Sequence, residues 1–232
     1  MTQQSAEVVD GRDGQAAPAV ATPPVRRRDQ QKDQTRIDLS LAAFELAREH
    51  GLAGVRVPQI AAATGVSPRT FNNYFASKEA AIVWPTTWRG SRLAASLAGR
   101  PAGQPLADAL VEATAGLYEE GEADELPAGW FRDFRALVAR EPALHGEYLK
   151  ATSAVEGALA DAIARRIGAD EGQLEPLVLA GVVAGAERAA VLYWARHAQD
   201  SSTLADVVRA AVGMAVRGMA GGQALAEPND YF

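Results

Sequence analysis

Two short helical segments separated by the turn Gly65-Val66-Ser67 constrain the fold of this chain more than any other feature. The first segment runs from Pro58 to Thr64 and is rich in alanine, whose small side chain lets a second helix approach closely. Glycine in the turn tolerates a positive φ angle, and the serine that follows is suited to cap a helix with Pro68 at its first position. The pattern predicts a helix-turn-helix motif over residues 60–74.

The second segment of this motif has one apolar and one polar face. Ile60, Val66 and Phe71 are expected to form a buried seam, which Leu41 and Phe44 of a preceding helix would cover. The polar face carries Arg69, Asn72 and Asn73. Arginine recognises guanine edges and asparagine recognises adenine edges in the DNA major groove. We therefore expect base recognition, and the alternative is that the asparagines are solvated surface.

Positive charge is concentrated around the motif although the chain as a whole carries -6. From Arg26 to Lys78 there are nine Lys or Arg residues and five acids, a local net charge of +4 that leaves -10 for the remainder. A basic segment on an acidic body is typical of a protein that contacts phosphates with one end only.

The run from Val57 to Ala80, VPQIAAATGVSPRTFNNYFASKEA, resembles the DNA-binding signature of the TetR family. The turn, the aromatic pair and Ser-Lys-Glu all stand at the family spacing, and the resemblance covers about residues 35–83. The second half of the chain shares only helical character with the family. The resemblance implies a dimeric repressor that binds double-stranded operator DNA.

The resemblance also implies roles for individual residues. Base edges would be contacted by Pro68, Arg69, Asn72 and Asn73. Phosphates would be contacted by Thr70, Tyr74 and Lys78, with Arg56 as a further candidate. A basic N-terminal arm that reaches the minor groove, as arms do in other helix-turn-helix proteins, would consist of Arg26, Arg27, Arg28 and Lys32. The alternatives are a solvated terminus for the arm and ring packing for the tyrosine.

Two positions depart from the family pattern. Arg56-Val57 stands where the family often has Thr or Ser, so we expect a poorer helix cap there. Asn72 stands where the family often has Tyr, which suggests a different base preference.

Helical periodicity continues through the rest of the chain, without a convincing alternating strand, and predicts an all-α fold. The prediction comprises an N-terminal three-helix DNA-binding domain with a helix-turn-helix and a larger helical ligand-binding and dimerisation domain. A helix from Ser77 is expected to kink or break near Trp84, because Pro85 removes a backbone donor. The predicted helices are 35–50, 58–64, 68–75, 77–84, 86–98, 105–120, 129–140, 142–167, 173–197 and 203–219. The predicted domains are a disordered tail (1–25), the DNA-binding domain with its basic arm (26–83), the effector and dimerisation domain (84–220) and a C-terminal tail (221–232).

The last two predicted helices are apolar enough to form a homodimer interface. The first of them is apolar nearly all round, which indicates burial on two sides. The interface residues we expect are Leu177, Gly181, Gly185, Leu192, Val208, Val212 and Val216. The alternatives are a core helix of a monomer and a membrane span, and Glu187-Arg188 in its middle argues against the span.

Aromatic side chains in the second half predict a pocket for a small apolar or amphipathic effector of unknown identity. The candidate lining residues are Trp88, Tyr118, Trp130, Phe134 and Tyr148. The alternative is that these rings form simple core. Arg132 and Arg135 flank them, either holding an anionic group or solvated.

Composition and motifs argue against other functional classes. The chain has no cysteine, and its three histidines are far apart, so we expect no metal site and no cofactor. Nucleophile-elbow, P-loop and zinc-protease motifs are missing, so we do not expect an enzyme. The polar N-terminus suggests no signal peptide, and a cytoplasmic location is the default. The alternative function is a helical protein-interaction module without DNA binding.

Overall fold

The computed structural model describes residues 24–119, 126, 129–170, 172–197 and 203–218, with side-chain surroundings from residue 31 onward. The chain divides into two units, residues 1–34 and residues 35–232. The predicted C-terminal tail and all but the last two residues of the predicted N-terminal tail lie outside the described residues.

Regular structure in the described part of the chain is helical throughout, which confirms the all-α prediction. Two single 3₁₀ turns, Leu52–Gly54 and Gly116–Tyr118, lie between α helices. The α helices are α1 (Pro24–His50), α2 (Val57–Ala63), α3 (Pro68–Tyr74), α4 (Lys78–Gly99), α5 (Leu106–Ala115), α6 (Trp130–Arg140), α7 (Pro142–Ile167), α8 (Leu174–Arg196) and α9 (Leu204–Val216).

The helix starts around the turn are fixed by side-chain caps. Ser67 Oγ accepts a hydrogen bond from Thr70 N at 3.0 Å, and Ser77 Oγ accepts one from Ala80 N at 3.0 Å. At α2 the side chain of Gln59 accepts instead, from Arg56 N at 2.8 Å. Each of these bonds pairs a backbone donor at a helix start, which defines the orientation of α2, α3 and α4.

The first helix is longer than predicted. It begins at Pro24 rather than at Thr35, because a proline suits a first helical turn and the Arg, Gln and Lys residues that follow favour helix. Arg26, Arg27, Arg28 and Lys32 of the predicted arm therefore lie on a helix, and their contact with the minor groove stays a prediction.

Of the predicted kink or break near Trp84, the break is wrong, since α4 runs through Trp84 and Pro85. An interior proline costs about 3 kcal/mol. Burial outweighs this cost here: Ile82, Val83 and Pro85 are all buried, and α4 packs along α7. The helix that follows α3 in the chain is thus the same helix that packs on α7.

Two apolar cores lie along the chain. One combines side chains of α1 to α4 with Trp130, Phe134 and Leu137 of α6. The other lies among α4, α5, α7, α8 and α9. The predicted domain boundary at residue 83 stays a prediction, and the first core includes residues from both sides of it.

Candidate nucleic-acid interface and cavity

Helix α3 presents its polar residues outward from a buried support. Phe71 is fully buried and its ring lies 5.7 Å from that of Phe75. Ile60 of α2 is fully buried too. The residues predicted to contact base edges are all exposed: Pro68, Arg69, Asn72 and Asn73. The sequence thus predicted both faces of the helix correctly, and base contact itself stays a prediction.

Three of the predicted phosphate ligands are at least partly exposed. Arg56 is exposed at the start of α2, and the Thr70 hydroxyl lies 2.8 Å from Ser67 Oγ. Tyr74 is half-buried, with the guanidinium carbon of Arg36 5.8 Å from its ring centroid. Arg36 of α1 was not predicted as a site residue, because only the tertiary fold brings it beside α3.

Lys78 has a structural role in addition to the predicted one. Its Nζ donates to Leu52 O at 2.6 Å and to Val55 O at 2.8 Å. Two of its three hydrogens are therefore used inside the protein, where they hold the start of α4 against the segment before α2. The third hydrogen is left for a phosphate, and that contact stays a prediction.

The helices that follow α3 enclose a cavity with a volume of about 80 Å³. Four of the five predicted pocket residues line it: Tyr118, Trp130, Phe134 and Tyr148. The other lining residues are Thr86, Arg89, Gly90, Leu93, Leu117, Phe131, Arg135, Thr152, Val155, Ala184, Glu187, Arg188 and Val191.

The fifth predicted pocket residue, Trp88, does not line the cavity. Because α4 is continuous, Trp88 lies one turn beyond Trp84 on the same face, and their rings stack at 5.8 Å. The guanidinium carbon of Arg92 lies over the Trp88 ring, 4.9 Å from its centroid.

Arg89 is the main cavity residue that sequence reasoning missed. It is only 7% exposed, its Nη2 donates to Leu117 O at 2.8 Å, and its guanidinium carbon lies 4.1 Å from the Tyr118 ring centroid. The available signal was its spacing, since Arg89, Leu93 and Leu97 recur every four residues and place a cation in an apolar stripe.

Two buried phenols supply further polar groups to the cavity. Tyr118 donates its hydroxyl hydrogen to Glu187 Oε1. Burial, and secondarily the charge of Glu187, raises the pKa of Tyr118. Burial also raises the pKa of Tyr148, opposed mainly by the charge of Arg135. Both phenols are therefore neutral at pH 7 and able to donate hydrogen bonds.

Comparison with known protein families shows to which family this chain belongs. The model of bacterial regulatory proteins of the tetR family matches residues 41–81, and a TetR C-terminal model, the MftR C-terminal domain, matches residues 104–220. The chain belongs to the TetR family. The second match covers the helices that surround the cavity except α4, and for this part of the chain the sequence alone showed only helical character.

Individual relatives of this TetR-family chain agree with that assignment. The HTH-type transcriptional regulator TcmR of Streptomyces glaucescens is 36% identical over 146 residues, which are 62% of this chain and 65% of that protein. The match thus spans a little less than two thirds of the relative. Its description as a regulator agrees with the prediction that the chain is not an enzyme.

Solved structures share the TetR-family fold. A TetR-family transcriptional regulator from Rhodococcus sp. superposes with a TM-score of 0.53 and 21% identity, over 78% of this chain and 96% of that one. A transcriptional regulator from Pseudomonas aeruginosa PAO1 gives a TM-score of 0.54 and 19% identity, over 86% and 94%.

The surface of α8 and α9 in this TetR-family chain corrects part of the predicted interface. Val208 and Val212 are fully buried in the chain's own core, and Val216 packs against that core. Leu177 and Gly181 are exposed, whereas Gly185 and Leu192 are half-buried. Leu174 and Val178, which belong to the same helical pattern, are exposed as well, and so are Tyr193 and Met214, which the sequence did not single out.

Helix α8 is also long and apolar enough, by length and composition, to cross a membrane. Its Glu187 and Arg188 line the cavity, and the helix packs on α7 and α9. These contacts favour contact with protein over contact with lipid. Among the described residues, no group of three or more His, Cys, Asp or Glu side chains is placed to hold a metal ion.

Proposed function

We propose that this protein is a cytoplasmic transcriptional regulator that binds operator DNA in a sequence-specific manner as a homodimer. We further propose that it is a repressor, and that a small apolar or amphipathic effector in the cavity releases it from DNA. The observation that carries the proposal is the exposed polar face of α3 on the buried support of Phe71 and Ile60.

The exposed polar face of α3 has the chemistry that base recognition requires. Arg69 offers paired donors that match the edge of guanine, and Asn72 and Asn73 each offer a donor and an acceptor that match adenine. The N-terminus of a helix attracts phosphate, and residues 26–78 carry a local excess of positive charge. Attraction to the backbone would then orient α3 before the bases are read.

The exposed apolar face of α8 supports the homodimer. This face, which we call the α8 stripe, consists of Leu174, Leu177, Val178, Gly181 and Tyr193. Met214 of α9, which packs against α8, extends the apolar surface. A two-fold axis through the stripe would pair the same surface of both subunits and would separate two copies of α3 by about one turn of DNA, ~34 Å, or a multiple of it.

Two contacts would couple the cavity to α3. Helix α4 begins at Lys78, shortly after α3 ends at Tyr74, and carries Arg89 into the cavity wall. Trp130 lines the cavity, and its ring also lies 5.7 Å from that of Phe44 in α1. A ligand that binds better to a rearranged α4 and α6 would shift the population toward dimers whose α3 helices no longer match the operator.

Selection of DNA fragments by the purified protein tests the proposal. We expect a palindromic site whose affinity falls as salt concentration rises, since phosphate contacts release counterions. The double variant Arg69→Ala with Asn73→Ala should lose selectivity for that site by at least about tenfold, in line with the loss of base contacts worth about 1–3 kcal/mol each.

The matched control is Arg140→Ala, which removes an exposed arginine of α6. It should leave the affinity unchanged, as measured by fluorescence anisotropy of the labelled site. Unaltered selectivity in the double variant would contradict the proposal. Absence of any salt-dependent DNA binding by the wild type would favour the helical protein-interaction module.

A further inference from the structure

Three buried nitrogen atoms of the cavity wall make no hydrogen bond within the described part of the protein: Arg89 Nε, Trp130 Nε1 and Arg135 Nη1. Arg89 and Trp130 are more than nine-tenths buried. Buried donors in proteins are nearly always paired, so several unpaired donors around one cavity point to a ligand that accepts from them. All three atoms are donors only, which excludes a ligand that merely donates hydrogen bonds.

The charge of the residues that line the cavity also points to a ligand that accepts hydrogen bonds. Arg89, Arg135 and Arg188 all line the cavity, and none of the three lies within 4 Å of a carboxylate among the residues that the structure describes. Glu187 is the acid of the lining, and it accepts the hydrogen bond from Tyr118. Three cations and one anion leave an excess of positive charge in the lining. Arg89, at 7% exposure, is a buried charge, which is costly until an opposite charge pairs with it.

The rest of the wall is apolar and rich in rings. Arg89 stands over the rings of Tyr118 at 4.1 Å and Phe131 at 4.9 Å, so aromatic surface lies beside its guanidinium. A small inorganic anion would satisfy the arginines and leave this surface uncovered. A neutral apolar molecule would cover the surface and leave the arginines unpaired.

We propose that the cavity binds a small apolar anion, an aromatic carboxylate in chemical class. The carboxylate accepts from Arg89 Nε and Arg135 Nη1, with Trp130 Nε1 as a further donor, and the aromatic body lies against the rings. This proposal rests on the proposed function, because it specifies the effector of the same cavity.

An isosteric pair of probes tests the requirement for charge. 2-Naphthoate and 2-naphthamide have the same shape and differ in that only the first is an anion. Isothermal titration calorimetry at pH 7 should give 2-naphthoate at least about tenfold higher affinity, since hydrogen bonds to an ionised acceptor are the stronger ones. Arg135→Gln should remove most of this preference and leave binding of the amide nearly unchanged.

The matched control is Arg132→Gln. Arg132 lies on the same helix, is exposed, pairs with Asp133 at 2.9 Å and does not line the cavity, so its loss should not change either affinity. Arg135 is chosen over Arg89 because Arg89 also donates a hydrogen bond to the main-chain carbonyl of Leu117, so that its replacement would disturb the fold as well. A thermal melt of each variant verifies that it is folded.

Three results would overturn the inference: equal affinity for the two probes, an equal loss of both in Arg135→Gln, or no binding of 2-naphthoate at millimolar concentration by folded protein. The binding test requires no DNA. A protein that binds its selected DNA site and ignores the anion would disprove only the effector class. One that selects the anion and binds no DNA would disprove the regulatory function.

Discussion

At Gly90 the helices α4 and α7 approach so closely that no side chain fits between them. A Cβ atom at this position would lie 2.3 Å from Val155 Cγ2 and 2.8 Å from Val155 Cβ. Gly90 and Val155 both line the cavity, so this contact fixes the distance between two of its walls. The missing side chain is therefore a packing requirement of α4.

We expect Gly90→Ala to destabilise the protein by about 1–3 kcal/mol, because the added methyl group overpacks the contact with Val155. Urea denaturation followed by circular dichroism measures the change. Adding Val155→Ala to the variant should recover part of the loss. Gly146→Ala in α7, where nothing lies within 4 Å, should leave stability equal or raise it by up to about 1 kcal/mol. A Gly90→Ala protein as stable as wild type would refute the packing argument.

The sequence predicted residue environments well where the determinant was local. Phe71 buried and Asn73 exposed follow from helical spacing alone. The hydrogen bonds of Lys78 and Arg89 were missed because their acceptors, Leu52 O and Leu117 O, are 26 and 28 residues away in sequence. No periodicity encodes such pairs.

At the scale of elements, α9 depends on a reciprocal cap at its first turn. Thr203 Oγ1 accepts from Asp206 N at 3.2 Å, and Asp206 Oδ2 accepts from Thr203 N at 3.2 Å. The Thr203 hydroxyl also donates to Asp206 Oδ2 at 2.7 Å. Hydrogen bonds from the Thr203 side chain, followed by those from its backbone, lower the pKa of Asp206 below its ordinary value of 3.8.

The lowered pKa makes the stability of α9 depend on pH. A carboxyl group with a depressed folded pKa stabilises the fold above its ordinary pKa, and this contribution is lost as the pH falls through the folded pKa. We expect Asp206→Asn to lower Tm at pH 7 and the difference from wild type to shrink below about pH 4. Differential scanning calorimetry at both pH values measures it, with Asp161→Asn on the exposed side of α7 as control. Equal Tm values at pH 7 would contradict the role of the cap.

Helix limits show where local rules are overruled. Most predicted limits lie within a few residues of the observed ones, because Ser67, Ser77 and Thr203 cap their helices as their positions indicate. Two predicted limits are exceptions. Helix α4 does not end at Pro85, since the energy of packing α4 against α7 exceeds the cost of an interior proline. Helix α1 does not begin at Thr35, although a threonine there is a competent cap.

On the scale of the whole molecule, the α8 stripe is an apolar surface that the described residues leave uncovered. Leu174 is 76% exposed, Leu177 48% and Val178 51%. Contiguous exposed apolar surface marks interaction sites. The proposed homodimer would bury this surface.

We expect the double variant Leu177→Glu with Val178→Glu to be a monomer at micromolar concentration, where the wild type is a dimer, because the charges would be buried in the interface. Sedimentation velocity distinguishes the two states. Leu149→Glu is the matched control, since Leu149 of α7 is 53% exposed but lies outside the stripe. A double variant that sediments as the wild type would disprove this interface.

The sequence by itself determined the helical fold, the turn at Gly65 and the two faces of α3, because capping and helical periodicity act over a few residues. Only the tertiary structure decided that α4 passes through Pro85, that Val208 and Val212 belong to the protomer's own core, and that Arg89 and Arg135 line one cavity. These outcomes depend on which helices pack together, and the free energy of that packing is distributed over contacts between residues far apart in the chain.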